Sequence, residues 1–258
     1  LFAIRTFSTS VAAMMLTILA LSGAWLMVFQ YLQGVLDLSP LEAGLVMLPP
    51  ALVQTVASLL VPRLTRYLPH WQLVSAGLVM ATFGLLILLL VHSPAQIPLL
   101  IVGMTVMGVG VMPMMILGTD MVVSAAPARK AGAASATSET ATELGMALGI
   151  AVIGSIGAAV YRQHMLEQLP AGLPDELSLA AGDTLGGAIG AAAQLGPELG
   201  APVMAAAREG FSLALHTNSA IGAGILAITA VLVAVMLHSR TPDDGVEAEP
   251  TVPTSPDQ

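Results

Sequence analysis

Two glutamates, Glu139 and Glu143, lie in a thirty-residue stretch that is otherwise free of charge until Arg162. Thirty helical residues rise about 45 Å, more than the ~30 Å hydrocarbon core of a bilayer. Residues four apart project from one face of a helix, and Ser138 and Thr142 are predicted to share that face. An ionisable group inside a span costs at least about 2.5 kcal/mol, so it usually faces a cavity or a partner. The pattern predicts that the chain moves something across a membrane and that these carboxylates carry the charge.

Their depth sets the chemistry that the two carboxylates could perform. If the helix enters the bilayer near Ala131, Glu139 lies about 12 Å deep and Glu143 about 18 Å deep, at 1.5 Å per residue. Burial and a like charge one turn away both favour the neutral form of a carboxyl group. One of the pair is therefore predicted to take up and release protons. The alternative is that both acids pair with basic groups, or are merely solvated, at the cytoplasmic entrance.

The composition is that of a membrane protein. Hydrophobic residues make up 56% of the chain and charged residues 9%, and the mean hydropathy is +0.86. Soluble domains carry about 25% charged residues. The absence of cysteine excludes disulfides, thiolate metal sites and thiol nucleophiles. The chain starts with Leu1 rather than Met, which predicts a fragment with further sequence upstream.

Hydropathy predicts an all-α integral membrane fold with six spans. The spans are 8–34, 40–62, 71–91, 97–123, 131–160 and 211–237, each long enough to cross a bilayer. A polar segment, 161–210, is predicted to form an extracellular cap with helices around 179–195 and 197–210. The acidic, proline-rich tail 239–258 is predicted to be disordered.

The basic residues predict the orientation. With the N-terminus of the first span inside, six basic residues are cytoplasmic: Arg5, Arg63, Arg66, Arg129, Lys130 and Arg240. Arg162 and Arg208 then lie outside, which is a clear positive-inside bias. A multi-pass protein of the plasma (inner) membrane with both ends of this chain and its tail in the cytoplasm is predicted.

Some residues mark helix boundaries and contacts. Ser39-Pro40-Leu41-Glu42 is a capping box that opens the second span. Pro49-Pro50 and Pro113 fall inside spans and predict kinks. The Gly145-to-Gly149 pair is a GxxxG pattern that allows close helix approach.

Further residues are candidates for a ligand cavity or for packing. Trp25, Phe29, Gln30 and Tyr31 cluster toward the outer end of the first span, and Gln54 is polar within the second. These residues could line a cavity, where an aromatic face beside a carboxylate would hold a lipophilic cation, or the aromatic ones could form an interfacial belt. Asp120 is predicted to form an interfacial pair with Arg129. No metal site, cofactor or nucleic-acid partner is predicted.

Four stretches carry a resemblance to a known family. They are FQYLQGVLDLSPLEAGLVMLPPAL (29–52), PRLTRYLPHWQLVSAGL (62–78), AGAASATSETATELGMALGIAVIGSI (131–156) and DTLGGAIGAAAQL (183–195) with AAAREGFSLALH (205–216). Together they resemble the C-terminal half of an EmrB/QacA-like drug:proton antiporter, a branch of the major facilitator superfamily whose members typically have about fourteen spans. The basic loop at 62–70 lacks the acidic residue and glycines of the superfamily pattern.

The resemblance implies one six-helix transporter half, built as two inverted three-helix units, whose cavity forms against a missing N-terminal half. It implies export of hydrophobic, cationic compounds in exchange for protons, with the lipid bilayer, the partner half and the substrate as partners. A superfamily half for another small molecule and a non-transporting structural fragment stay open. An intramembrane enzyme is disfavoured, because His216, the one histidine within a predicted span, lies at the outer end of the sixth, and Asp120 has no second aspartate within another span.

Overall fold

The computed structural model of the protein describes residues 1–92 and 96–238, which form helices joined by short links. The first four are α1 (Arg5–Gln30), α2 (Pro40–Leu64), α3 (His70–Leu88) and α4 (Ile97–Ser124), and α1 continues as a π-helical segment, Tyr31–Val35. They are followed by α5 (Ala131–Leu148), a π-helical segment (Gly149–Ile153), α6 (Gly154–Gln168), α7 (Asp175–Asp183) and α8 (Leu185–His238). Within this described part, six helical runs are long and apolar enough to cross a membrane. The all-α, six-span fold is confirmed. The predicted disorder of 239–258 lies outside the described residues.

Local sequence signals explain several helix boundaries. At the start of α2, the Ser39 backbone N–H donates to the Glu42 carboxylate at 2.8 Å, and the Glu42 N–H donates to the Ser39 hydroxyl at 3.3 Å. The predicted capping box is therefore confirmed. Pro49-Pro50 is accommodated within α2 and Pro113 within α4.

The segment predicted to be an extracellular cap differs from its predicted outline. The fifth helical run passes residue 160 and ends at Gln168, since Tyr161 and Met165 are buried. Thr184 interrupts the helix predicted over 179–195, because its hydroxyl accepts the N–H of Gly187 at 3.0 Å and begins α8. Gly196, with a φ of 72°, divides α8, and the part after it continues directly into the sixth span.

The packing order determines which helix faces remain open. Helix α1 contacts α4, α5 and α8, and α3 packs on both α4 and α8. Helix α2 packs mainly on α4, so α2 and α5 flank the central pair α1 and α4. Only 17% of the most apolar window of α2 is buried, against 56% in α1. The outer side chains of α2 therefore face lipid or a further protein segment.

Close backbone contact holds α3 against α4. A Cβ at Gly110 would collide with the Ala81 nitrogen and the Gly77 carbonyl oxygen, and one at Gly84 with the backbone of Met107. In a membrane, where lipid is as apolar as a leucine side chain, small residues that allow such close approach supply the van der Waals contact that holds helices together.

Candidate functional site

Helix α5 packs against the rest of the bundle through a row of small residues. The buried residues of α5 are Ala134, Ser138, Ala141 and Gly145. A Cβ at Gly145 would lie 2.5 Å from the Met15 carbonyl oxygen of α1. Gly149, one turn further, meets the Leu19 carbonyl and the Ser22 hydroxyl in the same way. The GxxxG pattern thus marks a real close approach, and it fixes which face of α5 turns away from α1.

Glu139 and Glu143 lie on the exposed part of α5. Within residues 1–92 and 96–238, neither carboxylate has an ion-pair or hydrogen-bond partner. Ser138, which was predicted to share their face, is instead 2% exposed and donates to the Ser135 carbonyl at 2.8 Å. Thr142 likewise donates to the Ser138 carbonyl at 3.0 Å. Both hydroxyls donate to backbone carbonyls of α5, so neither of them hydrogen-bonds to Glu139 or Glu143.

The aromatic candidates on α1 separate into two groups. Trp25 and Phe29 stack with their ring centroids 5.7 Å apart, and Phe29 is 36% exposed. Gln30 is exposed and borders a pocket against α6. Tyr31 is only 1% exposed and belongs to the buried core. The prediction left cavity lining or, for the aromatic residues, an interfacial belt open for all four; the structure separates the more accessible Trp25, Phe29 and Gln30 from the buried Tyr31.

Gln54 connects α2 to α4. Its amide lies over Gly108, where any Cβ would collide with it. Gln54 Nε2 is buried and, within the described residues, has no hydrogen-bond partner. The missing side chain at Gly108 therefore makes room for a polar group at membrane depth, a contact that the sequence alone does not indicate.

The predicted pair Asp120 and Arg129 is not brought together. The ion pairs within 4.0 Å in the described part of the chain are Arg162–Asp183 and His164–Glu209, the latter only when the histidine is protonated. Asp120 and Arg129 are both exposed, on either side of the turn between α4 and α5. Their side chains remain available to headgroups or to a further protein segment.

A histidine-lined cavity that the sequence did not predict lies between the π-helical segment after α1, the end of α6, the middle of α8 and the residues that follow α3. His92, His164 and His216 line it together with Tyr31, and its volume is about 540 Å³. The rings of His92 and His216 are 4.9 Å apart, and His216 Nε2 lies 2.7 Å from the Val91 carbonyl. The described residues contain no group of three or more acidic or histidine side chains arranged to hold a metal ion. Histidines this far apart in the chain give no spacing signal that could have predicted the cavity.

Comparison with known proteins places the chain among transporters. A family profile described as Major Facilitator Superfamily matches residues 2–158. Multidrug efflux pump LfrA of Mycolicibacterium smegmatis is 37% identical over 235 residues, which are 91% of this chain and 46% of that protein. Methyl viologen resistance protein SmvA of Salmonella typhimurium is 31% identical over 215 residues, 82% of this chain and 42% of that protein.

A third relative extends the same pattern. The tetracenomycin C resistance and export protein of Streptomyces glaucescens is 27% identical over 268 aligned positions, which cover 97% of this chain and 48% of that protein. The chain therefore spans about half the length of these relatives.

Proposed function

The chain belongs to the major facilitator superfamily, is a multi-pass membrane protein, and, we propose, forms the C-terminal half of a proton-coupled multidrug efflux transporter. The observation that carries the proposal is the exposed pair Glu139 and Glu143 on a helix of membrane-spanning length. A carboxylate facing hydrocarbon is costly, so these side chains are expected to face a water-filled cavity or a second protein segment.

Proton coupling is proposed from the expected positions of the two acids. Glu143 is expected near the middle of the bilayer and Glu139 nearer the cytoplasmic water. A carboxylate that has no fixed basic partner can take up a proton while the cavity is open to one side of the membrane and release it after the cavity has opened to the other side. Glu143 is therefore the proposed coupling residue, and Glu139 assists it.

The substrate class is proposed from the accessible aromatic residues and from the relatives. Trp25 and Phe29 present stacked rings on α1, and Glu139 and Glu143 supply negative charge on α5. Aromatic faces and carboxylates together attract a lipophilic cation. LfrA is named a multidrug efflux pump and SmvA a methyl viologen resistance protein. Export of hydrophobic, cationic compounds is the activity that we propose for the full-length protein.

We propose that the open faces of the bundle pack against a second transporter half. In transporters of this type, substrate sites lie near the bilayer midplane between two structurally related halves. The low burial of α2 and the exposed acids of α5 are expected at such a boundary. We expect that the partner is an N-terminal half, as in an EmrB/QacA-like protein with about fourteen spans, and that both ends of this chain lie in the cytoplasm of a plasma (inner) membrane.

Transport in inside-out vesicles tests the function. With an acidic lumen, vesicles containing the full-length protein should accumulate tetraphenylphosphonium and release it when nigericin collapses the pH gradient. Residues 1–258 alone should insert but give the uptake of empty vesicles, because the cavity needs two halves. Uptake by the full-length protein that ignores the pH gradient would contradict proton coupling. Equal uptake by residues 1–258 would contradict the half-transporter proposal.

Thiol labelling in intact cells tests the orientation. Tyr67, between α2 and α3, is 84% exposed, and Leu166, on α6, is 82% exposed. This chain has no cysteine of its own. An impermeant maleimide should label the Leu166→Cys variant and spare the Tyr67→Cys variant until the membrane is permeabilised. The unsubstituted full-length protein is the background control, and external labelling at position 67 would reverse the proposed orientation.

A further inference from the structure

A pocket of about 360 Å³ opens at the outer end of the bundle, between α1, α6 and the junction of α7 with α8. Its volume is within the range of small-molecule sites, about 300–1,000 Å³. Leu26, Ile150 and Phe211 provide apolar walls, and Gln30 and Asp183 provide polar groups. The pocket thus combines an apolar body with one carboxylate, as a site for a molecule with a lipophilic part and a positive charge would.

The pocket begins at Ile150, seven residues or about 10 Å along the helix beyond Glu143, and extends from there toward the membrane surface. Ser155, another lining residue, is twelve residues beyond Glu143, or about 18 Å along the helix. Counted from Ala131, this places Ser155 about 36 Å along the helix, beyond a hydrocarbon core of ~30 Å. An amphipathic molecule prefers this interfacial depth, where its apolar part can be buried while its charge stays hydrated.

Specific contacts hold the walls in place. The Tyr161 hydroxyl donates to the Ala181 carbonyl at 3.0 Å and ties α6 to α7. Leu185, at the start of α8, fills the space left by the absent side chain of Gly34, in the π-helical segment that continues α1. The pocket is therefore framed by four helices, α1, α6, α7 and α8, that these contacts connect, rather than by a single loop.

The Asp183 carboxylate already forms an ion pair with the Arg162 side chain. Arg162 Nη1 lies 3.6 Å from Asp183 Oδ1, and the two side chains are 49% and 69% exposed. An ion pair so open to water contributes little stability, because solvent screens it and two long side chains must be held in place. A second cation that also buries apolar surface in the pocket can displace the guanidinium without leaving Asp183 unpaired.

We propose that this pocket is a binding site for amphipathic cations, in which the ligand's charge replaces Arg162 beside Asp183 and its apolar part lies against Leu26, Ile150 and Phe211. The site does not depend on the transport cycle, since binding needs neither Glu143 nor a pH gradient. The site adds a place for cation binding at the outer face of the protein. The residues that line the pocket determine which class of ligand binds there.

Two substitutions with opposite expected effects test the site. In the purified full-length protein, Asp183→Asn should weaken tetraphenylphosphonium binding about three- to tenfold, because the cation loses its carboxylate. Arg162→Gln should strengthen it about two- to fivefold, because the competing guanidinium is gone. Equilibrium dialysis in a Glu139→Gln, Glu143→Gln background isolates this site from the proposed coupling site. A merely structural ion pair would give no change, or the same sign for both variants, and either result would overturn the proposal.

Matched controls and a lipid comparison complete the test. Asp175→Asn and Arg208→Gln change exposed charges that do not line the pocket, so binding should be unaffected. Phosphatidylethanolamine is a second amphipathic molecule with a positive group, its ammonium, that can pair with Asp183. Weaker probe binding in phosphatidylethanolamine nanodiscs than in phosphatidylglycerol nanodiscs, abolished by Asp183→Asn, would identify the lipid as a competing occupant of the same site. Equal binding in both would identify the soluble cation as the sole ligand, and a loss of the lipid effect with the control variants would count against the pocket.

Discussion

Glu143→Gln is expected to abolish export driven by a pH gradient while leaving insertion and folding intact. Glutamine keeps the size of the side chain but cannot exchange a proton, so the substitution separates charge from shape. The fold should tolerate it, because the Glu143 carboxylate is exposed and has no ion pair in the described part of the structure. The measurement is pH-driven tetraphenylphosphonium uptake into inside-out vesicles, normalised to folded protein.

Neighbouring acids provide the comparison series for this variant. Glu139→Gln should cause a smaller loss, because Glu139 is expected nearer the cytoplasmic water, where solvent can replace its charge. Glu176→Gln, at an exposed position on α7, is the matched control and should transport normally. Full pH-driven export by the Glu139→Gln, Glu143→Gln double variant would rule out the carboxylate mechanism and leave the superfamily assignment as a statement about fold.

Gly110→Leu is expected to have the largest effect on folding. Gly110 lies against the backbone of Gly77 and Ala81, so a new side chain must push α3 away from α4. Overpacking typically costs about 1–3 kcal/mol, and the upper end is expected here because the obstructing atoms are backbone. At about 1.4 kcal/mol per tenfold change in an equilibrium constant, the folded fraction of a marginal protein falls steeply.

A glycine in open space serves as the matched control. Gly224 on α8 is exposed, and a Cβ there would meet no atom within 4 Å. Gly224→Leu should therefore keep the monodisperse size-exclusion peak and melting temperature of the unsubstituted protein, whereas Gly110→Leu should lose both. Equal stability of the two variants would show that α3 and α4 can separate without penalty.

The local sequence was sufficient for features that depend on near neighbours in the chain. Six apolar runs predicted the six spans, because the length of an apolar segment decides whether it can cross a bilayer. Ser39 and Glu42 predicted the start of α2, since both capping hydrogen bonds are made within one turn. Glu139 and Glu143 were predicted to face a cavity or a partner, and in the structure both are exposed on α5.

Only the tertiary structure decided which apolar faces are buried. In water, burial separates apolar from polar side chains, but in a bilayer both the protein interior and the lipid are apolar, so hydropathy cannot tell them apart. Packing alone buried Tyr31 while leaving Phe29 exposed, and it turned Ser138 away from the carboxylates. For the same reason, the sequence did not predict the contact of Gln54 with Gly108 or the pocket that Asp183 lines. Each depends on helices that are distant in sequence and meet through small residues.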